Sequence, residues 1–272
     1  MLPAGRTFYK MSGSGNDFVV VDATRKAADD LTAPATVRAI CARATGIGAD
    51  GLVLLEPSLE ADYRMTYLNS DGSPADLCGN ASLCSARLAT ELNLVRKREF
   101  RVETAAGILG ARLLAEGPEI DLPPVLDIRS DLPFRLDRGE RWMGFAMAGV
   151  PHLVVRVEDV STVDVVSRGR PLRNDISFPV GANVNFVSQD AAGSWRIRTF
   201  ERGVEGETLA CGTGSVATAI LLTHSGDASG PVALKTRSGR ILTVRLTQIP
   251  GGWQPSLAGE ARIVFEGRFG EL

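Results

Sequence analysis

The chain has 272 residues, of which 44% are hydrophobic and 23% charged, with a formal net charge of −2 and a pI near 5.8. Such a composition excludes disorder, collagen and coiled coil, and the near-neutral charge gives no footprint for nucleic acid or an anionic membrane surface. The length predicts one large or two modest domains, and the opening residues, MLPAGRTFYK, carry neither the basic start nor the apolar stretch of a signal peptide.

In chain order, residues 18–22 and 52–56 are short apolar runs bounded by Gly and Asp, which predict strands. Residues 64–69 alternate loosely and predict a third strand. Residues 81–92 follow a Gly-containing turn and have helical composition. Segments 100–102 and 108–113 predict a hairpin around a Gly-bearing turn. Residues 122–136, rich in Pro and Asp, read as a joint. The most apolar stretch, 143–157, is broken by Pro151, His152 and Arg156, so no membrane span is expected. A strand at 196–201, a helix at 215–224 and a hairpin from 232–236 and 241–246 follow. Helices do not alternate with every strand, which favours α+β over a doubly wound parallel sheet.

The second half repeats the first. Gly15-Asn-Asp-Phe-Val-Val-Val resembles Gly149-Val-Pro-His-Leu-Val-Val, and Gly48-Ala-Asp-Gly-Leu-Val echoes Gly181-Ala-Asn-Val-Asn-Phe-Val in pattern. Tyr63-Arg-Met-Thr-Tyr-Leu-Asn69 matches Trp195-Arg-Ile-Arg-Thr-Phe-Glu201. Cys78-Gly-Asn-Ala-Ser-Leu matches Cys211-Gly-Thr-Gly-Ser-Val, and Thr104-Ala-Ala-Gly107 matches Thr236-Arg-Ser-Gly239. The offset stays between 132 and 134 throughout. Ordered matches at a nearly constant offset imply duplication. The expected domains are 1–125, completed by a C-terminal strand at 261–272, and 126–260.

Cys78 and Cys211 occupy the same place in the two copies, each at a strand-to-helix junction followed by Gly. A helix start leaves N–H groups unpaired and carries partial positive charge, so a thiol there ionises more readily and a substrate carboxylate finds ready donors. If the halves pack about a pseudo-twofold axis, one cysteine stands on each side of a cleft. Two equivalent acid/base groups on opposite faces of one carbon suit inversion of a stereocentre. Cys41, in an Ala-rich predicted helix, and Cys84, whose counterpart in the repeat is Ala217, read as buried filler. No C-x-x-C pair suggests zinc, and four thiols in this length fit a reducing cytoplasm.

These residues resemble the diaminopimelate epimerase family of cofactor-independent amino-acid epimerases. The resemblance rests on Lys10-Met-Ser-Gly-Ser-Gly-Asn-Asp-Phe18, Gly46-Ile-Gly-Ala-Asp-Gly-Leu52, Tyr67-Leu-Asn-Ser-Asp-Gly72, Cys78-Gly-Asn80, Pro151-His152, Asn183, and the block from Glu201 to Gly214. It implies two similar domains, each a rolled, barrel-like mixed sheet around a central helix, assembled as a homodimer. It implies interconversion of LL- and meso-diaminopimelate, on the route to lysine and cell-wall peptide, with Cys78 and Cys211 as the two bases and no cofactor or metal. The amides of Asn16, Asn69 and Asn183 match groups near the ligand. Arg202 is implied to hold the distal carboxylate, Glu201 to accept from an ammonium and influence a thiol, and His152 to tune Cys211 or Cys78. Gly79, Asn80, Gly212 and Thr213 match the turns that receive the reacting carboxylate. His224, near a helix end, reads as a capping or surface residue.

Departures from the family pattern are Val150, where many members have Asn, Gly51, where some have Gln, Ser12 in place of His, and Ala81-Ser82-Leu83 after the first Cys-Gly-Asn. These bear on the exact substrate. Alternative readings are a two-thiol racemase of another amino acid, such as histidine or hydroxyproline, and a non-catalytic amino-acid-binding protein on the same scaffold. A pyridoxal enzyme would need Lys10, Lys26, Lys97 or Lys235 as its Schiff base, and none lies beside a convincing phosphate loop.

Overall fold

The apolar runs are strands because both of their faces are covered. Val19, Val20 and Val21, and likewise Leu52, Val53 and Leu54, are fully buried, the pattern of parallel strands shielded on both sides. A computed structural model describes residues 5–130, 132 and 134–270. It divides into two compact units, one at Met1–Ile120 with Ala258–Leu272, the other at Asp121–Leu257. The joint foreseen at 122–136 includes residues 131 and 133, which lie outside the described residues; its remainder holds one short strand, Ile128–Arg129.

The first unit contains β1 (Thr7–Gly13), β2 (Asn16–Asp22), α1 (Pro34–Cys41), β3 (Gly51–Glu56), β4 (Tyr63–Asn69), α2 (Gly79–Glu91), β5 (Glu99–Thr104), β6 (Gly107–Leu114) and β7 (Gly117–Asp121). Strand pairing follows β1, β2, β3, β4, β5, β6, β7, with β2–β3 and β4–β5 parallel and the others antiparallel. The last strand of the chain (Arg262–Arg268, β17 below) pairs antiparallel with the outer side of β1. The sheet wraps α2, which touches β1, β2, β3, β4 and β6. Ten of the thirteen α2 residues are buried, including small ones such as Ala81, Ser82 and Ser85 that let strands approach closely. A second layer, α1 with Leu31, Val37 and Ile40, covers the other face through Val19, Val21, Leu52 and Leu54.

The second unit contains β8 (Ile128–Arg129), β9 (Glu140–Ala148), β10 (Val150–Val157), α3 (Val165–Arg173), β11 (Asn183–Gln189), β12 (Trp195–Glu201), β13 (Gly206–Thr208), α4 (Gly212–His224), β14 (Val232–Lys235), β15 (Ile241–Ile249) and β16 (Gly252–Gly259), with β17 (Arg262–Arg268) returning to the first unit. Pairing runs β8, β9, β10, β11, β12, β14, β15, with β10–β11 and β12–β14 parallel. Here α4 is the wrapped helix, touching β9, β10, β11 and β15, and α3 is the outer layer over Leu153, Val155, Val184 and Phe186. The order of parallel and antiparallel pairs repeats, and so does the register: Tyr63 opposite Val102 recurs as Trp195 opposite Leu234. The architecture is α+β, two pseudo-symmetric units each with a mixed sheet around one helix. Both α2 and α4 start earlier than the composition predicted, at Gly79 and Gly212 rather than 81 and 215. Glycine and small polar residues weaken the propensity signal, but burial on all sides stabilises these first turns.

Candidate functional site

In each unit the candidate residues gather at the N-terminus of the wrapped helix. Cys78 is the residue before α2; its carbonyl accepts from the Ser82 N–H at 2.9 Å and from the Ser82 hydroxyl at 2.9 Å. Cys211 stands likewise before α4, accepting from the Ser215 N–H at 3.0 Å and the Ser215 hydroxyl at 2.9 Å. The helical hydrogen bonding therefore begins at Ser82 and Ser215, and the N–H groups of the three residues before each have no partner within their helix. Gly79, Asn80, Gly212 and Thr213 thus lie inside the first helical turns, which corrects their expected place in preceding turns. The reason is that each cysteine is itself the N-cap residue. In the second unit the Gly214 N–H donates to Cys211 Sγ at 3.4 Å, and Thr213 Oγ1 lies 3.6 Å from the same sulfur. The Gly214 N–H, a fixed donor at a helix start, favours negative charge on that sulfur.

In the first unit, Asn80 Nδ2 donates to Asn16 Oδ1 at 2.6 Å, and Asn16 Nδ2 donates to Asp50 Oδ2 at 3.0 Å. Asp50 is held in turn by Arg43 at 2.5 Å, and Arg43 also bridges to Asp17 at 2.8 Å. Lys10 pairs with Asp17 at 2.5 Å and donates to the Gly48 carbonyl. The two cations hold the Asp17 carboxyl below its usual range even though its partial burial pushes the other way. Gly13 lets β1 approach the helix: a Cβ there would lie 2.9 Å from the Asn80 carbonyl oxygen. Asn69 sits opposite Gly51 across β3–β4, and its amide donates to Ser73 Oγ at 3.1 Å in the turn that follows β4. The side-chain place left empty by Gly51 is taken by Tyr67: a Cβ on Gly51 would lie 2.5 Å from the Tyr67 ring and 2.9 Å from its hydroxyl oxygen. Tyr67 packs edge-on against Phe18, ring centroids 6.0 Å apart.

In the second unit, Asn183 Oδ1 accepts from the Arg202 N–H at 2.7 Å, and the Arg202 guanidinium donates to the Val180 carbonyl at 3.0 Å. Glu201 ends β12 and is half-buried. His152 is fully buried on β10, opposite Asn183 of β11. Its hydrogen bond is to Asn185, at 3.2 Å, rather than to a cysteine. Asn185 also accepts from Thr199 Oγ1 at 2.9 Å, and its oxygen lies directly beneath Gly214 of α4, whose missing side chain makes the room. By register, His152, Asn185 and Thr199 fill the places that Phe18, Val53 and Tyr67 fill in the first unit. One lobe thus carries an aromatic layer under its helix start, the other a hydrogen-bonded polar layer.

All four cysteines are thiols rather than disulfide halves. Cys41, the last residue of α1, is pushed up to about 11 by burial, and burial also raises the fully buried Cys84. Both features suit packing. His224 ends α4 at the surface. Among the described residues, no three of His, Cys, Asp and Glu cluster as a metal site, and no helix is long and apolar enough to cross a membrane. The sequence reading missed Asp50, Arg43, Asp17, Tyr67, Asn185 and Thr199. Lys10, Asp17, Asp50 and Tyr67 lay within the motifs already quoted, but pairing between distant strands is what brings them to the site.

A helix-centred α+β lobe, duplicated, with a cysteine before each central helix, defines the class of this chain. The sequence profile described as diaminopimelate epimerase matches residues 8–124 and 144–250. The chain is 48% identical to the diaminopimelate epimerase of Gemmatimonas aurantiaca, covering 98% of this chain and 100% of that one. It is 40% identical to the diaminopimelate epimerase of Aquifex aeolicus, covering 97% and 98%. Among solved structures, a phenazine biosynthesis protein of the PhzF family from Bacillus anthracis superposes with TM-score 0.76 at 17% identity, over 97% of this chain and 98% of that one. A hydroxyproline epimerase from Agrobacterium vitis superposes at 0.71 with 19% identity, over 98% and 92%; these two likenesses speak to the fold. The chain belongs to the diaminopimelate epimerase family.

Proposed function

We propose that the chain is an isomerase that interconverts LL- and meso-diaminopimelate, using Cys78 and Cys211 as a thiolate/thiol pair. The observation that carries this reading is near-full-length identity of 40–48% to named diaminopimelate epimerases, together with a cysteine at the same N-cap position in both lobes. One thiolate takes the proton from the α-carbon and becomes a thiol. The electron pair left on carbon is delocalised into the adjacent carboxylate. The other thiol then delivers its proton to the opposite face and becomes the thiolate. The pair ends with its protonation exchanged and is ready for the reverse hand.

The backbone N–H groups of Gly79, Asn80, Gly212 and Thr213 supply donors for the reacting carboxylate as charge builds on it. Asn16, Asn69 and Asn183 orient the amino-acid groups, Arg202 takes the distal carboxylate and Glu201 an ammonium. His152 acts on the thiol chemistry from the second lobe. The reaction places the enzyme in lysine and cell-wall precursor synthesis, in the cytoplasm, as a cofactor-independent homodimer acting on a small molecule. Its domains are 1–125, completed by 261–272, and 126–260.

The test is epimerisation of LL-diaminopimelate in heavy water by the purified protein. Deuterium should enter at Cα as the meso isomer forms. Faster turnover of a single-ended amino acid, such as histidine or hydroxyproline, would move the assignment to another racemase. No exchange with any amino acid would leave only binding.

A further inference from the structure

We infer that Asn185 is a positioning residue that fixes His152 as the neutral tautomer protonated on Nε2, so that the second unit holds an imidazole N–H as a donor. The argument is one of hydrogen-bond valence. The Asn185 amide nitrogen lies 3.1 Å from the Leu153 carbonyl, which can only accept, so that nitrogen and not the oxygen faces β10. The amide oxygen is occupied from the other side by the Thr199 hydroxyl at 2.9 Å. The amide has two hydrogens. One goes to Leu153; the other points to His152 Nδ1 at 3.2 Å. Nδ1 must then accept, and the ring proton resides on Nε2.

Three further observations agree. His152 is fully buried, and burial lowers its pKa to about 3, so the ring is neutral at physiological pH. Nε2 is buried and has no hydrogen-bond partner among the described residues. An unmet buried donor costs about 1–3 kcal/mol, which a fold tolerates where an incoming group supplies the acceptor. Lastly, Asn185 abuts Gly214, whose N–H contacts Cys211, so the amide that sets the tautomer touches the helix turn that holds the thiol. The equivalent positions in the first unit, Phe18, Val53 and Tyr67, contain no such relay. The acceptor awaited by Nε2 is an anionic group, either a cysteine thiolate (Cys211 or Cys78) or an oxygen of the bound substrate.

This inference rests on the epimerase reading only for its consequence in catalysis; the tautomer itself is testable without activity. The chain has two histidines, so 15N-labelled imidazoles give two resolvable spin systems. At pH 7 the wild-type His152 is expected to show a protonated Nε2 and an unprotonated Nδ1. A proton on Nδ1, or an imidazolium, would overturn the proposal. In N185D the carboxylate offers no donor to Nδ1, and the ring proton should move to Nδ1, with kcat falling about 10- to 100-fold and KM changing less. An unchanged tautomer in N185D, or a moved tautomer with full kcat, would also overturn it. Should N185D fold poorly, T199V keeps the amide and frees its oxygen; a mixture of tautomers is expected there, and a single Nδ1–H form would count against the relay. Adding substrate to wild type should shift the Nε2 proton if the substrate supplies the acceptor. A shift of that proton on thiol alkylation without substrate would assign a cysteine thiolate instead, with C78A and C211A showing which sulfur is responsible; no response to either would remove the donor role.

Discussion

Cys78 and Cys211 hold the same backbone position: φ −129° and ψ 114° for one, φ −135° and ψ 112° for the other, each directly before a thirteen-residue helix. At Cys211 the sulfur accepts from the Gly214 N–H, whereas the Cys78 side chain makes no such cap bond. Replacing either cysteine by alanine should lower epimerisation roughly 10²–10⁴-fold, the usual contribution of a positioned acid or base. Circular dichroism and the melting temperature should stay near wild type. A variant that retains more than a tenth of the wild-type turnover would remove that cysteine from the reaction.

Alkylation should separate the four thiols. Cys78 is half-buried, whereas Cys84 is fully buried and Cys41 nearly so, with both of those thiols held in the neutral form by burial. Iodoacetamide should therefore modify Cys78 first, with activity lost in step, and leave Cys84 unmodified until the protein unfolds. Peptide mapping over a time course reads this directly.

The side-chain void at Gly51 belongs to Tyr67. An alanine there would meet the Tyr67 ring at 2.5 Å and the Leu68 carbonyl oxygen at 2.6 Å. Because one obstacle is backbone, a rotamer change cannot relieve it. G51A should cost about 1–3 kcal/mol, the range for overpacking, and Y67A should recover only part of that loss in the double variant. Urea denaturation of the three proteins measures the coupling.

Asn16 is held by Asp50, and Asp50 by Arg43. D50A should loosen the Asn16 amide and raise KM for diaminopimelate more than it lowers kcat. R43A should do much less. The Arg43 side chain is 63% exposed, and exposed ion pairs contribute about 0–1 kcal/mol. Steady-state kinetics on both variants ranks the two effects.

Acid should weaken the fold partly through His152. In the folded chain its pKa is depressed to about 3, against about 6.5 when unfolded. Below pH 6.5 the unfolded chain binds a proton that the folded chain refuses, so stability falls as pH drops from 6.5 toward 3. From pH 7 to pH 4, wild type should lose on the order of 2–3 kcal/mol more than H152Q. Equal pH slopes for the two proteins would show that His152 is not buried neutral.

Much of this molecule was legible along the chain. The duplication, the α+β class and the two cysteine junctions are local patterns: apolar runs, Gly-bearing turns, and a Cys-Gly before a helical stretch. Adjacent residues carry such signals because strand and helix periodicity and end effects act over a few positions. The helix starts were misplaced by two or three residues because Gly79 and Gly212 are poor helix formers, and burial, which no local window reports, overrides propensity.

The chemistry around the sulfurs was decided only by the tertiary structure. Asn16 meets Asn80 across 64 positions, Arg43 meets Asp17 across 26, and Asn185 reaches His152 across 33. Tyr67 occupies the space of Gly51 because β3 and β4 lie side by side. A hydrogen bond depends on distance and direction in space, and those are set by strand register and by the close approach that glycines permit. The sequence determined which residues stand before each helix. The folding of each sheet around that helix determined which side chains surround them.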